Sequence, residues 1–178
     1  MIAVEVRLWD TTIGALTLRG GDSFASFEYA AEFLESGMEP APVMMPLAPG
    51  VYRFPELPLE SFHGLPGMFA DAVPDKFGNA LIDAWLAEQG RAKESFSALE
   101  RLCYTGTRAM GALEFYPAAG PETRRSESLD IERLRSLADE ILVQRKRARV
   151  KIRKDEQENF EQILRVGTSA VGARAKAL

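Results

Sequence analysis

The sequence predicts an α+β fold, in which a small antiparallel sheet carries packed helices and is followed by a helical segment. Alternating apolar and polar residues at 2–8, 11–20 and 23–29 predict three strands joined by short turns. Strands joined in this way pair antiparallel. An amphipathic helix is predicted within residues 74–90, and residues 111–117 predict a strand that returns to the sheet.

The first strand shows the clearest alternation. Val4 and Val6 are separated by the charged Glu5, which is the pattern of a half-buried strand. Residues 11–20 alternate less regularly and are predicted to be the hairpin partner, and the turn after them is rich in glycine. Two neighbouring strands at the N-terminus therefore start the predicted sheet.

A short helix is predicted over residues 30–36, and Gly37 suits its C-terminal end. Residues 39–67 contain seven of the ten prolines and are predicted to be mostly loop. Within this loop, residues 51–54 have the composition of a short strand.

Two further helices are predicted from their end signals. Pro74 suits a first helical turn, and Gly90 suits the residue after the last turn. Ser97 and Glu100 have capping-box spacing and are predicted to open the next helix. The apolar face predicted for the first of these helices consists of Phe77, Leu81, Ile82, Trp85 and Leu86.

The remaining residues divide the chain into three predicted parts. Residues 1–117 form the sheet domain, and residues 118–128 are polar and turn-rich, as expected of a linker. Residues 129–178 are the third part, the helical connection, in which apolar residues at helical spacing predict a helix from Leu129 to about residue 145.

Charge is distributed unevenly along the chain. The net charge is −4, yet residues 145–154 hold seven of the 22 basic residues and no acid. The other residues have 15 basic against 26 acidic side chains, a balance of −11. Three interpretations of the basic run stay open: a solvated helix surface, a polyanion contact or a docking surface for another protein.

Composition excludes several classes of protein. A single cysteine, Cys103, permits no intrachain disulfide and favours a reducing compartment. The N-terminus lacks the basic start and apolar run of a signal peptide, and no stretch has the length of a membrane span. We therefore expect a cytoplasmic protein without a membrane partner.

Few residues have the pattern of a catalytic or metal site. His63 is the single histidine and has no cluster of ligands at metal-binding spacing, so we expect a structural role. Cys103 lies on the apolar side of its predicted helix and is expected in the core. Asp75 and Asn79 are one residue short of a kinase-type spacing, and Asp75 has a simpler role at a helix N-terminus. No metal site is predicted.

The last residues, "RVGTSAVGARAKAL" (165–178), combine glycines, small hydroxyl residues and a lysine. Gly167 and Gly172 have the glycine spacing of a phosphate-binding loop, but Ala173 and Arg174 replace the Lys and Ser/Thr that should follow. From the pattern alone, a weak phosphate loop and a flexible tail are both open.

Four stretches together resemble the HipA family of bacterial serine/threonine kinase toxins. They are "VEVRLWDTTIGAL", "GLPGMFADAVPDKFGNALIDAWL", "RLCYTGTRAMGALEF" and "VGTSAVGARAKAL", and they occur in the family's order over nearly the whole chain. The resemblance implies that residues 1–117 are the N-terminal subdomain and that residues 129–178 lead into a kinase-like body.

The resemblance also implies a nucleotide-binding loop at the end of the chain. Ser169 matches the serine that can be autophosphorylated, and Gly172 and Lys176 match the glycine and lysine of the loop. Val171 and Ala175 depart from a glycine and a proline found in many relatives, and a valine does not suit positive φ. The residues matched to nucleotide binding are Ser169, Ala170, Val171, Gly172, Ala173, Arg174 and Lys176.

By resemblance, the chain is the N-terminal fragment of a kinase that uses ATP and magnesium and phosphorylates an aminoacyl-tRNA synthetase. The implied restraining partner is a helix-turn-helix antitoxin, through which any contact with DNA would be indirect. The family's catalytic and magnesium-binding aspartates would follow Leu178, so we expect no catalysis and no tight nucleotide binding by this chain alone. The alternative is a stand-alone N-terminal subdomain that binds and neutralises a separately encoded kinase.

Overall fold

The structure, a computed structural model, describes residues 1–109, 111–120 and 139. The chain divides into two compact units, of which the first comprises Met1–Val73 and Ala98–Ala119 and the second includes Pro74–Ser97. Most of the predicted linker and helical connection, the whole basic run and the glycine-rich loop lie outside the described residues. Predictions about those segments stay predictions.

The first unit is built on a five-stranded antiparallel sheet with the strand order β4-β3-β2-β1-β5. The antiparallel sheet with helices confirms the predicted α+β fold. The strands are β1 (Ile2–Leu8), β2 (Thr11–Leu18), β3 (Ser26–Tyr29), β4 (Val51–Tyr52) and β5 (Leu113–Tyr116).

Four of the five strands are shorter than predicted, and a local turn accounts for the difference at β3 and β4. β3 begins at Ser26 rather than at residue 23, because the backbone N–H of Phe24 donates to Asp22 Oδ1 (3.2 Å) and forms a turn there. β4 ends at Tyr52, and the following turn is closed by the N–H of Leu57 donating to the C=O of Phe54 (3.3 Å).

Residues 39–67 are mostly loop, as predicted, but they also contain helical turns. A one-turn helix lies within this range and another begins at its end, and Pro58 and Pro66 are their N-cap residues. Proline's fixed φ suits the start of a helix, so prolines that suggested loop begin helices here. The helices of the first unit are α1 (Ala31–Leu34), α2 (Leu59–Phe62), α3 (Gly67–Ala70) and α5 (Ala98–Thr105).

The core of the first unit lies on one face of the sheet. The ring of Phe27 is fully buried and contacts the rings of Tyr29 and Phe69, with centroids 4.9 and 4.8 Å apart. Gly14, which pairs with Tyr29, leaves room for the Phe27 ring beside β2. Other members of this core are Val4, Val6, Leu16, Phe33, Leu99, Leu102 and Phe115.

The second unit contains α4 (Lys76–Glu88) and a 3₁₀ turn at Lys93–Ser95. Asp75 is the N-cap of α4, so Pro74 lies before the cap and not in the first turn as predicted. Gly90 follows the helix with φ +69°, as expected after a helix C-terminus. Of the predicted apolar face, Phe77, Leu81, Ile82 and Leu86 are buried and Trp85 is half-buried.

Candidate functional site

The solvent-facing side of the sheet is the candidate functional surface. In the β2–β3 pair, Ala15 lies opposite Glu28 and Thr17 opposite Ser26. These positions alternate with the buried Leu16 on β2, so their side chains point away from the core. Small and polar residues therefore cover this face, as is usual for an antiparallel sheet with one wet side.

A depression of about 400 Å³ lies on this face over β2, β3 and β4. Its volume is within the range of small-ligand pockets. Thr17 and Ser26 contribute hydroxyls to its lining, Phe24 contributes a ring, and Arg19 and Arg53 contribute cations.

The pair formed by Arg53 and Asp22 is the best-defined polar group in this lining. Arg53 Nη2 donates to both carboxylate oxygens of Asp22, at 2.6 and 2.8 Å, and the guanidinium lies 5.9 Å from the Phe24 ring centroid. The backbone N–H of Phe24 and then the Arg53 guanidinium lower the pKa of Asp22 below its usual value. The depression therefore contains a charge pair that is already neutralised.

A second polar network lies on the same face near β5. Arg7 Nε and the hydroxyl of Thr12 each donate to Glu5 Oε1 at 2.7 Å, and these bonds lower the pKa of Glu5. The Arg7 guanidinium lies 4.3 Å from the Tyr116 ring centroid. The Tyr116 hydroxyl donates to Glu114 at 3.0 Å, which raises the pKa of Tyr116.

Cys103 and His63 have side chains of the types that catalysis often uses. Burial raises the pKa of the Cys103 thiol to about 11, so very little nucleophilic thiolate forms at neutral pH. His63 is exposed and ends α2 in a left-handed conformation (φ 55°). Among the described residues, no group of three or more His, Cys, Asp and Glu could hold a metal ion.

The kinase-like residues of the second unit have local structural roles. Asp75 Oδ1 accepts the backbone N–H groups of Phe77 and Gly78, both at 2.9 Å, and so caps α4. Asn79 Nδ2 donates to the C=O of Pro74. This geometry agrees with the simpler of the two interpretations of Asp75, a role at the helix N-terminus.

Sequence reasoning missed two features of this surface. The depression depends on which side chains adjacent strands present to one face, and this follows only from the strand register. The turn between β1 and β2 places Trp9 at its tip, 69% exposed, with positive φ at both Trp9 and Asp10. The signal that could have identified this turn is the pair Trp9 and Asp10, which separates two segments of alternating apolar and polar residues.

Comparison with known proteins identifies one family for this chain. The family model described as the HipA N-terminal domain matches residues 4–116. The match begins within β1 and ends at the last residue of β5, so it includes all of the five-stranded sheet except the first two residues of β1. No curated protein matches the chain. Among the described residues, no helix is long and apolar enough to cross a membrane.

Proposed function

We propose, since the chain belongs to the HipA N-terminal domain family, that it is the partner-binding N-terminal portion of a HipA-like serine/threonine kinase toxin. The observation that carries the proposal is the family match over residues 4–116, which includes residues of all five strands. The toxin would act in a toxin–antitoxin system, with a helix-turn-helix antitoxin as its restraining partner and an aminoacyl-tRNA synthetase as its substrate.

The proposed contribution of this portion is binding and not phosphoryl transfer. Phosphoryl transfer requires aspartates that hold magnesium and orient the nucleophile. None of the stretches that resemble the family supplies those aspartates. The charged pairs on the sheet face, Glu5 with Arg7 and Asp22 with Arg53, have their ionic partners within the domain.

The proposed nucleotide contact is the glycine-rich loop that contains Ser169, Gly172 and Lys176. Its backbone amides would approach the ATP phosphates only when a kinase body supplies magnesium and the catalytic aspartates. Ser169 is the proposed autophosphorylation residue. Radiolabelled ATP tests the requirement for a kinase body: we expect no phosphate incorporation by the purified chain alone, equal to that of Ser169→Ala. Incorporation above that of the variant would contradict the requirement for a kinase body.

A titration tests the binding role directly. The chain is titrated by calorimetry with the kinase body encoded with it, produced as a separate polypeptide, and with the neighbouring antitoxin. We expect saturable binding to the kinase body. If binding also lowers the phosphorylation of a synthetase substrate, the chain acts as a neutralising subdomain, which is the alternative that the sequence left open. Binding to neither protein would refute the proposed role.

A further inference from the structure

The turn between β1 and β2 contains a tryptophan, Trp9, in a backbone conformation with positive φ. Leu8 pairs with Thr11, so the loop contains only Trp9 and Asp10, with φ of 49° and 64°. Positive φ at both positions is the type I′ turn, which favours Asn-Gly. Aspartate tolerates this region, but a bulky aromatic residue rarely adopts it.

Packing within the domain does not explain why residue 9 is a tryptophan. The side chain is 69% exposed and does not belong to the buried core. The Trp9 backbone N–H donates to the C=O of Ala112 (3.3 Å), and an asparagine would make the same bond. Within the described part of the chain, no aromatic ring or cation stacks on the indole. The indole therefore combines backbone strain with exposed apolar surface, and neither stabilises the domain.

The strands beside the turn nevertheless hold the backbone of Trp9 in place. β1 is flanked by β2 and β5, and Leu8 pairs with Thr11 on one side and Leu113 on the other. A partner that binds Trp9 therefore does not have to order its backbone, which lowers the entropic cost of binding. Tryptophan is also the type of residue most often found at the energetic centre of protein interfaces.

The net charge of the first unit indicates which residues border the partner's pocket. Asp10 is exposed beside Trp9. The first unit contains twelve Asp and Glu residues against five Arg and no Lys, a formal balance of −7. A partner surface complementary to this unit carries Lys or Arg around an apolar pocket, because like charges would oppose the contact.

We propose that Trp9 is the anchor by which this domain docks on its protein partner, inserting into an apolar pocket bordered by basic residues on the HipA-like kinase body. This inference rests on the proposed function, since it assigns a contact residue to the proposed partner. It adds the residue at the centre of the contact, the chemistry of the opposing pocket and a reason for the strained turn.

Trp9→Asn tests the proposal, because asparagine suits positive φ and removes the ring. Val43→Asn is the matched control: Val43 is 89% exposed on the same unit and receives the same replacement. Both variants of the full chain are titrated against the kinase body, and their melting temperatures are measured. We expect Trp9→Asn to weaken binding about thirtyfold or more with an unchanged or higher melting temperature. Val43→Asn should bind as the wild type does.

Each other outcome overturns the proposal. Binding of Trp9→Asn within twofold of the wild type would show that the ring is not an anchor, while leaving the proposed function intact. A lower melting temperature for Trp9→Asn would show that the ring serves the fold. Loss of a wild-type dimer in Trp9→Asn, with kinase binding unchanged, would assign the ring to self-association. Failure of the wild type to bind would refute the proposed function and the docking residue with it.

Discussion

Because β2 and β3 approach each other closely at Gly14, we expect Gly14→Ala to destabilise the domain. A Cβ at this position would lie 2.2 Å from the carbonyl oxygen of Glu28 and 2.8 Å from two atoms of the Phe27 ring. Ordinary van der Waals contact begins at 3.4 Å. In Gly14→Ala, the two strands must move apart by about 1 Å to relieve the contact with Glu28, and the Phe27 ring must also shift.

The expected destabilisation is about 3 kcal/mol. Overpacking of a close-packed core costs about 1–3 kcal/mol. Displacement of β2 from β3 weakens one or two ladder hydrogen bonds, each worth about 1 kcal/mol. The lower entropy of alanine in the unfolded chain offsets about 0.5–1 kcal/mol. For a unit of about 95 residues, with an unfolding entropy near 0.2 kcal/mol/K, the melting temperature falls by about 15 °C.

Circular dichroism during thermal and urea unfolding measures this change. Gly20→Ala is the matched control, because no atom lies within 4 Å of the added Cβ and the backbone φ is not positive. We expect the control to stay within about 0.5 kcal/mol of the wild type. A Gly14→Ala variant that is as stable as the control would refute the steric account of this strand pair.

Three further predictions concern polar groups of the first unit. The hydroxyl of Tyr29 donates to the C=O of Met45 (2.8 Å) in a buried site, so Tyr29→Phe should lower the free energy of unfolding by about 1–2 kcal/mol in urea titrations. The hydroxyl of Tyr52 lies in a more exposed site, so Tyr52→Phe should lower the free energy of unfolding by less. The pKa of Asp22 is lowered in the folded state, so its carboxylate stabilises the fold above the unfolded-state pKa of about 4, and this contribution disappears as the pH falls through the folded-state pKa. The difference in urea midpoint between wild type and Asp22→Asn should therefore shrink as the pH is lowered from about 6 to about 3, and a constant difference would exclude this origin. Because the pKa of Cys103 is raised to about 11, only about one thiol in a thousand is ionised at pH 8, and reaction with a disulfide reagent should be slow until urea unfolds the chain.

The parts of the fold that the sequence predicted well are those with a long periodic pattern. β1 and α4 each show their period over several residues, and periodicity reports directly which side of an element is buried. The one-turn helices within and just after the proline-rich segment lack that signal. Each has four residues, too few to show a helical period, and a proline N-cap is also a common loop residue.

The candidate site was less accessible to sequence reasoning, for a geometric reason. The depression on the sheet combines residues of β2 and β3 with Arg53, which comes directly after β4. Arg53 and its ion-pair partner Asp22 are thirty-one positions apart in the sequence. Such a pairing depends on strand order and register, and neither can be derived from the spacing of the residues. The local role of Asp75 was predictable because a cap acts within one helical turn.

At two positions of the β1–β2 hairpin, Gly14 and Trp9, the residue type is not the one that the backbone conformation favours. The reason differs between them, since one concerns folding and the other concerns function. Gly14 has strand backbone that any residue adopts, so the absence of a side chain there requires a spatial reason, and Glu28 and Phe27 supply it. Trp9 has a backbone that favours glycine or asparagine, yet it carries the largest side chain, which is mostly exposed. Packing within the domain accounts for the first departure. A contact outside the domain accounts for the second, and for this reason the Trp9 substitution should change binding without a loss of stability.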